Sequence, residues 1–237
     1  ILTSDVTGLG TLRILDSIRE NAPDAKFYQA SSSEMFGNFP GEKDEKTCFK
    51  PRSPYGVAKV FAHHMTNHYK EAYKIFACCG ILFNHESPLR GLEFVTRKIT
   101  YELAQIKYKK QKKFSLGNIH VKRDWGFAGD YVEAMWLMLQ QKNPEDYVIA
   151  TGESHSIEEF LTLATEFAGL GSWQDLVEID KSLLRPTDIK NLVGDASKAR
   201  EQLGWKPKTS FKDLVKNMVE HDLEYVKLRT DPLSDFN

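Results

Sequence analysis

Cysteine is scarce, neither sign of charge is in surplus, and no apolar run is long enough to cross a bilayer. The three cysteines, Cys48, Cys78 and Cys79, do not make a disulfide framework. Cys78 and Cys79 are adjacent within an apolar run, which suits reduced, buried thiols in the cytoplasm. With 32 basic and 33 acidic residues the formal net charge is -1. So balanced a chain has no global field to draw it to nucleic acid or to a membrane surface. A spanning helix needs about 20 consecutive apolar residues, and no such run occurs. Internal repeats and low-complexity tracts are also missing. The opening residues, Ile1-Leu2-Thr3-Ser4, include no Met and do not read as a signal peptide. The pattern starts midway, so further sequence upstream is expected.

What is present is ordinary for a globular protein: 41% hydrophobic and 27% charged residues in a chain of 237. That length admits one large domain or two small ones. Val6, Leu9, Leu12, Ile14, Leu15 and Ile18 recur at helical spacing over residues 1 to about 20. Lys26 to Ala30 reads as a short buried strand, and residues 37–54 as a polar loop. Ser53-Pro54 has the form of a helix start, with Ser53 near the N-cap and Pro54 in the first turn. The helix it opens is expected to reach about Tyr73 and to dock through Val57, Phe61, Met65 and Tyr69.

Ile75 to Phe83 is continuously apolar, as a strand covered on both faces would be. It runs into the polar segment Asn84-His85-Glu86-Ser87-Pro88, where ligands bind in open α/β sheets. Further helices are expected over Val95 to about Tyr108, Ala128 to Gln141, Glu158 to Ala168 and Phe211 to Lys227, with a short one after Asp195-Ala196-Ser197. Strands are expected at 114–116 and 147–150. Alternation of this kind argues for an α/β fold with a mainly parallel sheet.

The chemistry concentrates in two runs. Ser31-Ser32-Ser33-Glu34-Met35-Phe36-Gly37 ends the first strand, and Tyr55-Gly56-Val57-Ala58-Lys59 opens the next helix. A phenol titrates near pH 10, too high for a base at neutral pH. A Lys ammonium one turn away favours the phenolate, and lowering that pKa by about three units is worth about 4 kcal/mol. Tyr-x-x-x-Lys is therefore a reasonable acid/base pair for a sugar hydroxyl. The bare spacing arises by chance in most chains of this size, and by itself it fits a solvated helix face as well.

A strand ending in a Ser cluster, a Pro-bearing loop and then Ser-Pro-Tyr-x-x-x-Lys resembles the extended short-chain dehydrogenase/reductase family. Within it, the resemblance to the GDP-mannose 4,6-dehydratase branch covers essentially the whole chain. It is carried by residues 27–34, Pro51-Arg52-Ser53-Pro54-Tyr55, residues 80–88, Phe94-Val95-Thr96-Arg97-Lys98-Ile99, Arg123-Asp124-Trp125-Gly126 and residues 147–152. The resemblance implies a partial Rossmann-type doubly wound parallel sheet with a smaller α/β substrate-binding domain. The implied division is 1–83 with 120–150 for the dinucleotide side and 84–119 with 151–237 for the nucleotide-sugar side.

The family's catalytic positions fall on Ser32, where Thr is common, and on Glu34, Tyr55 and Lys59. The resemblance places NADP against Tyr55, Lys59, His85 and Arg90, with Leu89 replacing a frequent Arg. It places the GDP-sugar against Asn84, Val95, Lys98, Gly117, Arg123, Arg185 and Asp188, the last standing where Glu is usual. Guanidinium forks at Arg123 and Arg185 suit a diphosphate. A homodimer or homotetramer in the cytoplasm is implied as well. Glu34 turns the expectation from plain hydride transfer to elimination, because it adds a base for a C5 proton. The family's Gly-rich phosphate loop, G-x-x-G-x-x-G, is not in this sequence.

Simpler readings stand beside these. His64 and His68 lie one turn apart, but with no third ligand nearby they read as a helix-surface pair and no metal is expected. The Lys109 to Lys113 cluster reads as a solvated face, and Trp125 and Trp136 as core. Arg123 could instead pair with Asp124 or Asp130. Another GDP-sugar such as a GDP-heptose, an epimerase or reductase on the same scaffold, and a non-catalytic interaction module are the alternatives. Without the Gly-rich loop, the chain by itself is expected to turn over no GDP-mannose.

Overall fold

The amino end is one helical run in the computed structural model, which describes residues 1–184 and 189–229. Ser4–Leu9 is wound as π-helix and continues into α1 (Gly10–Asn21). There follow β1 (Phe27–Ser32), α2 (Pro54–Tyr73), β2 (Ala77–Leu82), β3 (Asn84–Glu86), α3 (Val95–Lys107), β4 (Phe114–Leu116), β5 (Lys122–Arg123), β6 (Trp125–Phe127) and α4 (Ala128–Gln140). The chain continues through β7 (Tyr147–Ile149), β8 (His155–Ser156), α5 (Ile157–Ala168), β9 (Val177–Ile179), β10 (Asn191–Leu192), α6 (Ser197–Leu203) and α7 (Phe211–Leu228).

β1, β2 and β7 form a parallel three-stranded sheet in that order, with Phe27 opposite Ala77 and Ser32 opposite Leu82. Every residue of β2 is buried, as an unbroken apolar run between two helical layers requires. Ala77 packs with Leu15 of α1 and Tyr69 of α2, whereas its neighbour Cys78 packs with Tyr131 and Met138 of α4. Helices thus cover both faces, and the α/β doubly wound expectation holds. A second core joins α3, α5 and α7 around β4, β9 and Trp125. Short parallel pairs, β3 with β6 and β4 with β9, edge the two cores.

Capping follows the sequence. Ser53 Oγ accepts from Gly56 N at 3.0 Å and Ser156 Oγ from Glu159 N at 3.0 Å, satisfying amides that the first helical turn leaves unpaired. Other expectations need correction. The docking face of α2 is Gly56, Ala58, Ala62, His63, Thr66 and Tyr69, while Val57 and Phe61 are exposed. Small residues let the helix lie close to the sheet, and that outweighs side-chain hydrophobicity here. Trp125 is core, but Trp136 is 59% exposed on the outer side of α4. Beyond β2, the polar segment Asn84-His85-Glu86 pairs as β3 with β6.

Two buried polar nodes hold these parts together. Arg97 Nε contacts both carboxylate oxygens of Asp222 at 2.8 Å, and Thr100 Oγ1 donates to Asp222 at 2.6 Å, fastening α3 to α7. Asp124 accepts from Thr151 N at 2.9 Å, Thr151 Oγ1 at 2.7 Å and Gly152 N at 3.0 Å. Asp130 is occupied by the amides of Lys208 and Thr209. Both acids therefore serve backbone amides rather than Arg123.

A third network lies under the carboxyl end of β1. Ser31 Oγ is 3.0 Å from His63 Nδ1, and Asn67 Nδ2 lies 3.2 Å from His63 Nε2 while donating to Asp146 at 2.8 Å. Burial pushes the His63 pKa down to about 4, against the opposing charge of Asp146; His64 and Lys70 add to the depression. The unfolded imidazole titrates near 6.5, so the folded state binds this proton less readily than the unfolded state. The stability His63 contributes is present above about pH 6.5 and is lost as pH falls through about 4. Denaturant midpoints measured across that window should fall with pH in the parent protein and fall less steeply in His63→Gln.

Candidate active site

β1 ends at Ser32, and the next three residues make a single 3-10 turn, Ser33–Met35. Ser32 caps that turn, its Oγ accepting from Glu34 N at 3.3 Å. Gly37 reverses the chain at φ +57, where a Cβ would fall 2.0 Å from the Lys50 carbonyl oxygen, so only glycine fits. The loop then returns to Ser53, and α2 begins against the turn. A Cβ added at Gly56 would come within 2.9 Å of the Glu34 carbonyl oxygen. The turn and the helix start are therefore in backbone contact, which brings Ser32, Glu34 and Tyr55 together.

The Tyr55 phenol lies near the Ser32 hydroxyl and the Glu34 carboxylate, close enough for both to act on it. Burial of the phenol raises its pKa above the ordinary value; the neighbouring Ser32 hydroxyl lowers it, the Glu34 charge raises it and the Arg90 charge lowers it. The side chain is still 42% exposed, so solvent screens much of this. The Lys59 ammonium donates to the Ala30 carbonyl at 2.7 Å and sits 5.5 Å from the centre of the Tyr55 ring, over its face. Burial lowers the Lys59 pKa. Arg90, brought from the loop after β3, acts on the phenol as a small effect beside that of burial.

Arg90 is itself built into place. Its Nε lies 3.1 Å from the Glu86 carboxylate and its guanidinium stacks 3.5 Å from the centre of the Phe94 ring. Glu86 is buried and accepts from Thr96 Oγ1 at 2.6 Å. Arg97 donates to the carbonyls of Pro88 and Arg90, so the buried α3–α7 ion pair also shapes this loop. Neither Glu86 nor Arg97 was assigned a role by the sequence, although both lie in its quoted motifs; their partners are set by the fold. His85 lies 2.9 Å from the Phe83 carbonyl through Nδ1 and stacks on Tyr131. Burial lowers its pKa, which favours a neutral ring with Nδ1 donating and Nε2 as an acceptor.

The remaining positions are held to neighbouring backbone. Asn84 opens β3 opposite Trp125, and Val95 opens α3. Lys98 Nζ donates to the Ser115 carbonyl at 2.8 Å. At Gly117 a Cβ would lie 2.9 Å from the Leu183 carbonyl oxygen. Arg123 Nη1 donates to the Ile189 carbonyl at 2.6 Å, beside the point where the described chain resumes. Arg185 and Asp188 lie outside the described residues.

Chemically, the first cluster offers a hydroxyl, a phenol, a carboxylate and two cations at the carboxyl edge of a parallel sheet. Lys59 has three N–H donors and spends one on Ala30. With the phenol beside it, the pair matches a vicinal diol such as a ribose, so the donor set fits a nicotinamide nucleotide. Replacing Arg90 by Leu removes the cation and should raise the Tyr55 pKa, read as phenolate absorbance against a Tyr55→Phe reference. An unchanged or lower value would show that Arg90 does not act on the phenol.

Three comparisons bear on this geometry. The family described as GDP-mannose 4,6 dehydratase matches residues 1–218. GDP-mannose 4,6 dehydratase 1 of Arabidopsis thaliana is 58% identical over 229 residues, covering 95% of this chain and 63% of the relative. The Homo sapiens GDP-mannose 4,6 dehydratase is 47% identical over 251 residues, 97% of this chain and 66% of its own length. The chain thus spans about 63% of the length of the plant relative. Among solved structures, RMD from Pseudomonas aeruginosa complexed with NADPH superposes with a TM-score of 0.85 at 21% identity, over 94% of this chain and 74% of that one. The dTDP-glucose 4,6-dehydratase of Bacillus anthracis in complex with NAD gives 0.84 at 21% identity, over 94% and 70%. At that identity the two structures speak for the fold.

Proposed function

The chain belongs to the GDP-mannose 4,6-dehydratase family, and from that membership we propose that it carries the acid/base machinery for NADP-dependent 4,6-dehydration of GDP-mannose. The product is GDP-4-keto-6-deoxymannose. The observation that carries this reading is the close placement of Ser32, Glu34 and Tyr55, where the turn after β1 meets the start of α2.

In this reading Ser32 hydrogen-bonds the sugar O4, and Tyr55 takes the O4 proton. A nicotinamide nucleotide held by Tyr55, Lys59, His85 and Arg90 would supply the hydride chemistry between C4 and C6. The 4-keto group acidifies the C5 proton; Glu34 removes it and passes it to the C6 hydroxyl, which leaves as water, and the proton held on Tyr55 goes to C5 as C6 is reduced. Tyr55 and Lys59 orient the nicotinamide ribose, with His85 and Arg90 beside them. Arg90 also offsets the Glu34 charge at the phenol. Asn84, Val95, Lys98, Gly117 and Arg123 are assigned to the GDP-sugar; Arg185 and Asp188 join them by their place in the motif.

The division into a dinucleotide part (1–83 and 120–150) and a nucleotide-sugar part (84–119 and 151–237) belongs to the same reading. Residues 189–205 cross back to pack on the first core. We assign the cytoplasm as location, where Cys78 and Cys79 stay reduced; no helix among the described residues is long and apolar enough to cross a membrane. A homodimer or homotetramer would cover the exposed Val6, Leu9, Val57 and Phe61, which adjoin where Gly8 meets Phe61.

Glu34→Gln in the full-length protein should still bind cofactor and GDP-mannose but lose dehydration by about a hundredfold to ten-thousandfold. Undiminished dehydration, followed by the absorbance of the keto product, would remove Glu34 from the C5 step.

A further inference from the structure

The turn after β3 holds Arg90 from every direction but one. Arg90 N donates to the Ser87 carbonyl at 3.0 Å, and Leu89 N to Ser87 Oγ at 3.1 Å, so the turn closes on itself. Arg97 donates to the Arg90 carbonyl at 3.0 Å. The guanidinium stacks 3.5 Å from the centre of the Phe94 ring, and its Nε lies 3.1 Å from Glu86 Oε2. The Nε–H does not point straight along that line, so the hold is one of charge on charge. The terminal nitrogens, Nη1 and Nη2, have no partner among the described residues.

Glu86 is 1% exposed. Burying a carboxylate is costly, and a well-packed apolar pair would join β3 to the start of α3 at least as firmly. What the carboxylate adds is direction. Thr96 Oγ1 donates to Glu86 Oε2 at 2.6 Å, and the same oxygen faces Arg90 Nε. Thr96, in the first turn of α3, thus sets where Oε2 lies, and Oε2 sets the Nε edge of Arg90. A planar guanidinium held by that edge and by one face has a single orientation left for its terminal fork. The Arg90 charge acts on both the Tyr55 phenol and the His85 ring, which places that fork beside the candidate site.

We propose that Glu86 is a positioning residue, which with Thr96 presents the terminal nitrogens of Arg90 to a phosphate group of the nicotinamide nucleotide. Two parallel N–H donors match two phosphate oxygens, and a fork already fixed in place loses little freedom on binding. The inference rests on the nicotinamide reading given above and deepens it.

The test is a double-mutant cycle in the full-length protein, with NADP+ and NAD+ binding measured by calorimetry. Arg90→Leu should weaken binding about tenfold to hundredfold, as loss of a charge-assisted contact implies. Glu86→Gln and Thr96→Val should each weaken it about fivefold when Arg90 is present, and by no further factor in the Arg90→Leu background. Thr96→Ser restores the hydroxyl and should restore binding. Equal losses for the two nucleotides identify the diphosphate they share; a loss confined to NADP+ identifies its 2′-phosphate. Retained GDP binding shows which variants are intact, and Thr96→Val serves should Glu86→Gln fail to fold. Undiminished nucleotide binding in an intact variant, or the same loss with and without Arg90, would overturn the assignment of Glu86 and leave the cofactor reading standing. A parent that binds neither nucleotide would remove that reading, and this inference with it.

Discussion

The close seating of α2 on the end of β1 decides the rest of the site. Lys59 spends one of its protons on the Ala30 carbonyl, and Gly56 lets the helix start meet the Glu34 backbone with no side chain between. These contacts fix the height of the helix relative to the strand. Tyr55 then reaches Ser32, and Glu34 lies near enough for its charge to act on the phenol. The helix can come this close because its buried face is Gly56, Ala58, Ala62 and Thr66 rather than large apolar residues. The network of Ser31, His63, Asn67 and Asp146 supports the same seam from below.

The electrostatics follow from that seating. Lys59 is committed to backbone and lies over the Tyr55 ring, so it holds position more than it tunes the phenol. Burial has the largest effect on the phenol and Arg90 opposes it in small part; Arg90 is held by Glu86, Phe94 and the carbonyl contacts of Arg97. Asp222, at the far end of the chain, thereby has a path to the site through one buried ion pair. Removing either partner of such a pair leaves a buried charge uncompensated, typically at a cost of about 3–5 kcal/mol.

Much of the fold was legible because it is local. Helical periodicity, the Ser53 cap and the all-apolar β2 are written in neighbouring residues, and the structure bears them out. Ser32, Glu34, Tyr55 and Lys59 were legible as a motif, and the structure brings them together. What was not legible depends on distant partners. The pairing of β3 with β6, the link of Arg97 to Asp222, and the choice of Asp124 to serve Thr151 and Gly152 have no local signature. Nor does periodicity tell which of two apolar stripes a helix buries; Val57 and Phe61 look as suitable as Ala58 and Ala62. Trp136 misled for the same reason, since size alone does not place a residue in the core.

The central claim is that the cluster at the end of β1 performs an elimination and not a simple hydride exchange at one carbon. GDP-mannose carrying deuterium at C4, turned over by the full-length protein and read by NMR, tests it directly. The account predicts a 4-keto-6-deoxy product with the deuterium at C6. Deuterium retained at C4, in a product that keeps its C6 hydroxyl, would contradict it.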